Sequence, residues 1–171
     1  MMFRWFMVVV FVFSLGGCAK QADLADIIVS ASTPGDFTRF RSELSARFTP
    51  EQLQPFDTAT QELQLDAMNR NIPAAEAREL DMLAVVNGKP VHAVVLLGWQ
   101  ARQARFHREI ADLTRMLDHD LEQQQKTATT GTPETVTTRI NSEKEVIAKI
   151  QRNLAETDRR LAAWSQAKQA R

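Results

Sequence analysis

One cysteine and three histidines are the side chains through which this chain could most readily do chemistry. The 171 residues hold Cys18 alone, and His92, His107 and His119. A thiol can act as nucleophile, metal ligand or point of covalent attachment, and an imidazole can move protons or bind a metal. The histidines are not spaced to share an ion. His107 and His119 are twelve residues apart, more than three helical turns, and the flanking Asp118 and Asp120 diverge from His119 around a helix. No second histidine stands four positions away with a glutamate between. There is no glycine-rich phosphate loop and no nucleophile elbow, and the acidic residues form no pair that stands apart. The sequence therefore predicts no metal site, no catalytic residue and no enzyme. It assigns most of the polar residues to solvated helix faces.

Cys18 has a clearer context. Arg4 precedes the unbroken apolar run Trp5 to Phe13. A positive start, a short apolar stretch and small residues after it make a secretory signal peptide over residues 1–17. The run falls short of the roughly 20 apolar residues that span a bilayer. Leu15-Gly16-Gly17-Cys18 resembles the lipobox of bacterial lipoprotein precursors, in which a large apolar residue and two small ones lead to the modified cysteine. The resemblance covers the first eighteen residues. It implies cleavage before Cys18, a thioether-linked diacylglyceryl group on the thiol and an N-acyl chain on the new amino group. Each buried methylene contributes about 0.8 kcal/mol, and two or more chains anchor stably. No other cofactor is expected. The implied partner is the membrane, and the implied location is the bacterial cell envelope. Ala19, in the place where an Asp would act as a retention signal, implies the periplasmic face of the outer membrane in a Gram-negative cell. An ordinary secreted protein, or an uncleaved N-terminal helix, is the alternative.

Cleavage would leave residues 18–171 with 20 basic and 21 acidic side chains. A chain this close to neutral is a poor ligand for nucleic acid, and none is expected as a partner. With Cys18 lipidated no disulfide can form, so packing must stabilise the fold. Tyr is absent, glycine after the leader is limited to Gly35, Gly88, Gly98 and Gly131, and good helix formers abound. The composition predicts an all-α protein.

The elements follow in order. Residues 18–32 read as a lipidated tether that lifts the body off the membrane; its apolar Ile27-Ile28-Val29 could dock or form a short strand. Residues 33–88 read as a subdomain of short helices. Thr33-Pro34-Gly35-Asp36 starts a helix with Thr33 as N-cap, and Phe37, Phe40, Leu44 and Phe48 follow at helical spacing. Thr49-Pro50-Glu51-Gln52 starts another, with a capping box and the stripe Leu53, Phe56, Thr60, Leu63, Ala67. Pro55 is a source of a kink, and the end falls near Asn69 to Asn71. A third helix runs from Ala74 to about Val86 with Leu80 and Leu83 inward. Asn87-Gly88 reads as a β-hairpin turn or as a helix C-cap before Pro90; the lack of alternation after Gly88 favours the cap. The layout Leu44-Ser45, Phe48-Thr49-Pro50-Glu51-Gln52, Phe56 and Val86-Asn87-Gly88-Lys89 behind a lipobox resembles that of a family of small uncharacterised bacterial lipoproteins. That family implies no activity, and this chain departs from it in the long helices that follow.

Residues 89–171 predict a long antiparallel helical hairpin, coiled-coil-like, with its loop at 126–132. One stripe is Val95, Trp99, Arg102, Phe106, Ile110, Leu113, Leu117, Leu121; the other is Val136, Ile140, Glu143, Ile147, Ile150, Leu154, Thr157, Leu161, Trp164. Steps of four and three are the heptad. Symmetry about the loop pairs Leu121 with Ile140, Ile110 with Ile150, Phe106 with Leu154 and Trp99 with Leu161, and brings Val95 near Trp164. It also predicts a register-setting ion pair, Arg102 with Asp158. Trp99 and Trp164 read as an exposed patch for a partner or as packing at the hairpin base; their place on the apolar stripe favours packing. Gly98 predicts a close helix approach. The expectation is a lipid-anchored, non-catalytic envelope protein serving as a spacer or protein-interaction module, with an envelope protein or a second copy able to pair through the heptad face. The alternative is a small-ligand-binding or enzyme-inhibiting periplasmic lipoprotein, which an apolar cavity walled by Phe37, Phe40 and Phe56 would favour.

Overall fold

A computed structural model describes residues 23–127, 131 and 134–169, with side chains to residue 166. The described chain is all-α. A single 3-10 turn, Leu24–Asp26, precedes five helices: α1 Pro34–Ser45, α2 Pro50–Asn69, α3 Ala75–Val86, α4 Val91–Thr127 and α5 Glu134–Gln169. The leader and Cys18 lie outside the described residues, as does most of the loop expected at 126–132.

The helix starts follow their local chemistry. Thr33 Oγ1 accepts the Asp36 N–H at 3.2 Å. Thr49 and Gln52 form the reciprocal box, each side chain accepting the other's backbone N–H, at 2.9 and 3.4 Å. Helix α2 continues through Pro55. Helix α3 ends at Val86, and Gly88 follows with φ +75°, the left-handed conformation of a residue just past a helix. The cap reading of Asn87-Gly88 is thus the observed one. The burial of α3 departs from expectation at one residue: Leu80 is 46% exposed, while Met82, Leu83 and Val86 are buried. At about 100° per residue, Leu80 lies roughly a third of a turn from the centre of that buried face.

The docking offered for Ile27-Ile28-Val29 is observed, which makes any tether shorter than residues 18–32. Val29 is 0% and Ala31 1% exposed, so this stretch belongs to the core. The backbone explains why. The Val29 N–H donates to the Lys89 carbonyl at 2.8 Å, the Gly88 N–H to that of Val29 at 2.8 Å and the Val91 N–H to that of Ile27 at 2.9 Å. The Asn87 side chain accepts the Ala31 N–H at 3.0 Å. Residues 27–31 therefore satisfy the peptide groups of the α3–α4 link, which would otherwise be left unpaired where three helices meet. Ile28 pairs with Pro90 in a single antiparallel bridge.

The core gathers Val29, Phe40, Leu44, Phe56, Met82 and the first two turns of α4, including Val94 and Val95. Helix α4 is the spine, packed on α2 and α5. Gly98 is where α2 comes closest: a Cβ built there would lie 2.3 Å from Ala59 Cα. Beyond Arg108, the last α4 residue bonded to α2, the hairpin continues as two helices. There the stripe residues Ile110, Leu113, Leu117, Leu121, Ile147 and Ile150 are half-buried, while Ile140 and Glu143 are buried. A two-helix seam has no third element to cover its flanks, so most of its apolar residues stop at half-burial. The register lies within a residue of expectation: Arg139 bonds Asp120, and Gln103 donates to Asp158 at 2.8 Å.

Candidate functional site

At the hairpin base the two indoles go separate ways. Trp164 is half-buried, with its ring 5.6 Å from that of His92. Trp99, two turns up α4, is 4% exposed. The Arg102 and Arg160 guanidinium carbons lie 5.3 and 5.4 Å from its ring centroid. Cations at this distance are attracted by the ring quadrupole. Both tryptophans pack on the core, but they make no ring contact with each other.

Arg102 does not pair with Asp158. Along this stretch α4 faces two helices, and Arg102 lies toward α2, its Nε 3.6 Å from Glu62. Gln103, one residue and about 100° further round, faces α5 and takes Asp158 instead. A two-helix picture assigns every seam residue to the partner helix; α2 claims this one. Glu62 is 7% exposed and receives a bidentate grip from Arg105 Nε and Nη2 at 2.9–3.2 Å. Arg105 also donates to Glu109 at 2.8 Å. Burial works against the Arg105 charge, but the bonds to Glu109 and Glu62 outweigh it and hold its guanidinium above the ordinary arginine value. Arg108 continues the line to Asp66 at 3.1 Å, and Arg70 joins Asp66 to Asp81. The α2–α4 interface is thus apolar around Gly98 and ionic beyond it. An arginine on an apolar stripe calls for an acid, and the acid nearest Arg102 lies on α2 rather than on α5.

Where α2, α4 and α5 converge they enclose a polar crevice of about 250 Å³. Gln54 and Thr58 form one wall, Trp99 and Arg102 a second, Asn153, Glu156, Thr157 and Arg160 the third. Thr157 is 1% exposed and spends its hydroxyl on the Asn153 carbonyl at 2.8 Å. Glu156 accepts from Arg160 at 2.8 Å and pairs with Arg159 at 2.7 Å; the Arg160 bond and the nearby Arg159 charge hold its carboxyl below the usual range.

Nearer the tip, a shallow open groove runs past His119, Met116 and the pair formed by buried Asp120 and half-exposed Arg139. The Arg139 bond holds the Asp120 carboxyl below the usual carboxylate range. Glu143 is 7% exposed, and its Oε2 has no hydrogen-bond partner. His119 bonds Gln123 on its own helix, 3.1 Å away. Among the described residues, no three of His, Cys, Asp and Glu come together as a metal site would need, and no helix is long and apolar enough to cross a membrane. No known protein family, curated protein or solved structure matches the chain.

Proposed function

We propose that this chain is a lipid-anchored envelope protein without catalytic activity, whose hairpin stands off from the membrane as a spacer and protein-interaction surface. The anchor reading rests on Leu15-Gly16-Gly17-Cys18 and the apolar run before it. The spacer reading is carried by the position of the two ends. Residues 27–31 are bonded beside the first turn of α4, at the hairpin base, and α4 runs 37 residues away from there. At 1.5 Å per residue the tip lies about 55 Å from the base. The four residues between Cys18 and Asp23 reach at most about 17 Å. The body would therefore sit close to the lipid surface, with only the tip held far out.

The half-buried seam, together with Met116 at 54% and Val146 at 41% exposure, suits contact with an envelope protein or a second copy. The Phe37, Phe40 and Phe56 side chains do not favour a ligand in the core. Phe37 and Phe40 each lie 6.1 Å from Phe56, which is 1% exposed, so the rings fill the place an apolar cavity would need. The test is metabolic labelling with a fatty acid, compared between the wild type and Cys18→Ala. Label on the wild type and none on the variant is the expected result. Equal labelling, or none on either, would remove the anchor.

A further inference from the structure

We propose that the crevice between α2, α4 and α5 binds a small oxyanion, a carboxylate or a phosphate, through Arg102. This does not depend on the lipid anchor. Arg102 carries five N–H donors, and it makes no hydrogen bond to any described residue. Its Nε is buried without a partner. The nearest acid, Glu62, lies 3.6 Å from that atom, beyond hydrogen-bond reach, and is already gripped by Arg105. The indole Nε1 of Trp99, the other residue of the same wall, is also buried with no acceptor. The Arg102 side chain is 29% exposed and only its Nε is buried, so the remaining guanidinium donors are open to a ligand in the crevice.

The geometry suits an oxyanion better than other ligands. Arg102 is held between two rings, its guanidinium carbon 5.3 Å from Trp99 and 5.4 Å from Phe106. A fork fixed by stacking loses little freedom when it takes a carboxylate or phosphate bidentately. Arg160 brings a second positive charge to the same ring, and Gln54 and Asn153 add amide donors to the lining. The acids at hand, Glu62 and Glu156, are committed to Arg105 and to Arg159 and Arg160. A sugar or aromatic ligand would need a bare indole face, whereas Trp99 is 4% exposed with two arginines against it. A volume of about 250 Å³ suits a few heavy atoms.

The test is nuclear magnetic resonance of the full chain in non-ionic detergent, reading the indole N–H signal that disappears in Trp99→Phe. Inorganic phosphate and succinate are titrated at constant ionic strength. A saturable shift of the Trp99 signal is expected, with the Trp164 signal unmoved. Arg102→Gln should weaken binding at least tenfold. Arg160→Gln, at a half-exposed side chain, should weaken it severalfold with unchanged melting, which guards against a packing defect in the first variant. Dihexanoylphosphatidylglycerol is the third probe. A shift with it alone makes the oxyanion a lipid headgroup; a shift with phosphate or succinate makes it a free solute. No saturable shift with any of the three, or one that Arg102→Gln leaves intact, overturns the proposal.

Discussion

Replacing Gly98 by alanine is the sharpest test of how α2 and α4 meet. In an exposed helix the change would stabilise, since alanine is better than glycine by about 1 kcal/mol. Here the added methyl would stand 2.3 Å from Ala59 Cα, 2.4 Å from its Cβ and 2.7 Å from its carbonyl oxygen. These are main-chain atoms and a Cβ, so no rotamer change relieves the contact and the helices must separate. Overpacking costs typically 1–3 kcal/mol, and contact with a rigid backbone argues for the upper end. The net expectation is a loss of about 2 kcal/mol, which at roughly 2–4 °C per kcal/mol for a chain of this size lowers Tm by about 4–8 °C. The assay is thermal unfolding followed by circular dichroism at 222 nm. Two sister variants calibrate it. Gly35→Ala, whose nearest neighbour would be 3.9 Å away, should hold or raise Tm. Gly88→Ala has open space but φ +75°, so it should cost about 1–2 kcal/mol through backbone strain alone. Adding Ala59→Gly to Gly98→Ala removes only the Cβ contact and should restore a minor part. If Gly98→Ala melts at or above the wild type, the close approach is wrong.

Four further outcomes follow from named contacts. Thr49→Ala removes the capping box of α2 and should cost about 1 kcal/mol in chemical denaturation. Glu62→Ala leaves Arg105, 19% exposed, without the carboxylate it grips bidentately; loss of one partner of a buried pair costs about 3–5 kcal/mol, read as a lowered urea midpoint. Leu113→Asp puts a charge into the half-buried seam, and loss of helical signal from the hairpin is expected; unchanged melting would contradict the α4–α5 pairing. Asp120 has a lowered carboxyl value because it accepts from Arg139. Near its unfolded value of about 3.9 the unfolded state binds more protons, so this stabilisation is present above that pH and is lost as pH falls through the lower folded value. Stability measured from pH 7 to pH 2 should decline below about pH 4, and Asp120→Asn should flatten that decline.

The parts legible in the sequence are those fixed by local chemistry or by one period. Thr33 and Thr49 announce their helices because a hydroxyl and the N–H three residues on are all a cap requires. The α4–α5 register was readable because heptad spacing and one short loop leave few alternatives. Two things were not readable. Ile27-Ile28-Val29 reads as a segment able to dock, but nothing in it names the place, because nothing there says that Lys89 and Gly88 lack partners. Pairing about the loop counts two helices and so gives Arg102 to Asp158, whereas the nearest acid, Glu62, comes from α2, forty residues earlier. The crevice arises from that third helix, so no motif could have named it.

The central claim is a lipidated body with its hairpin tip held away from the membrane, and one energy-transfer measurement reaches it. Because Cys18 is the only cysteine, acylation leaves no thiol, and a cysteine introduced at Ser30 or Thr135 becomes the sole site for a dye. Chains purified from membranes and reconstituted into vesicles with acceptor lipids should show strong transfer from Ser30→Cys, at the base, and weak transfer from Thr135→Cys, about 50 Å further out by the helical rise. The unsubstituted chain should take no dye. Dye uptake at Cys18, or equal transfer from both positions, would contradict the account.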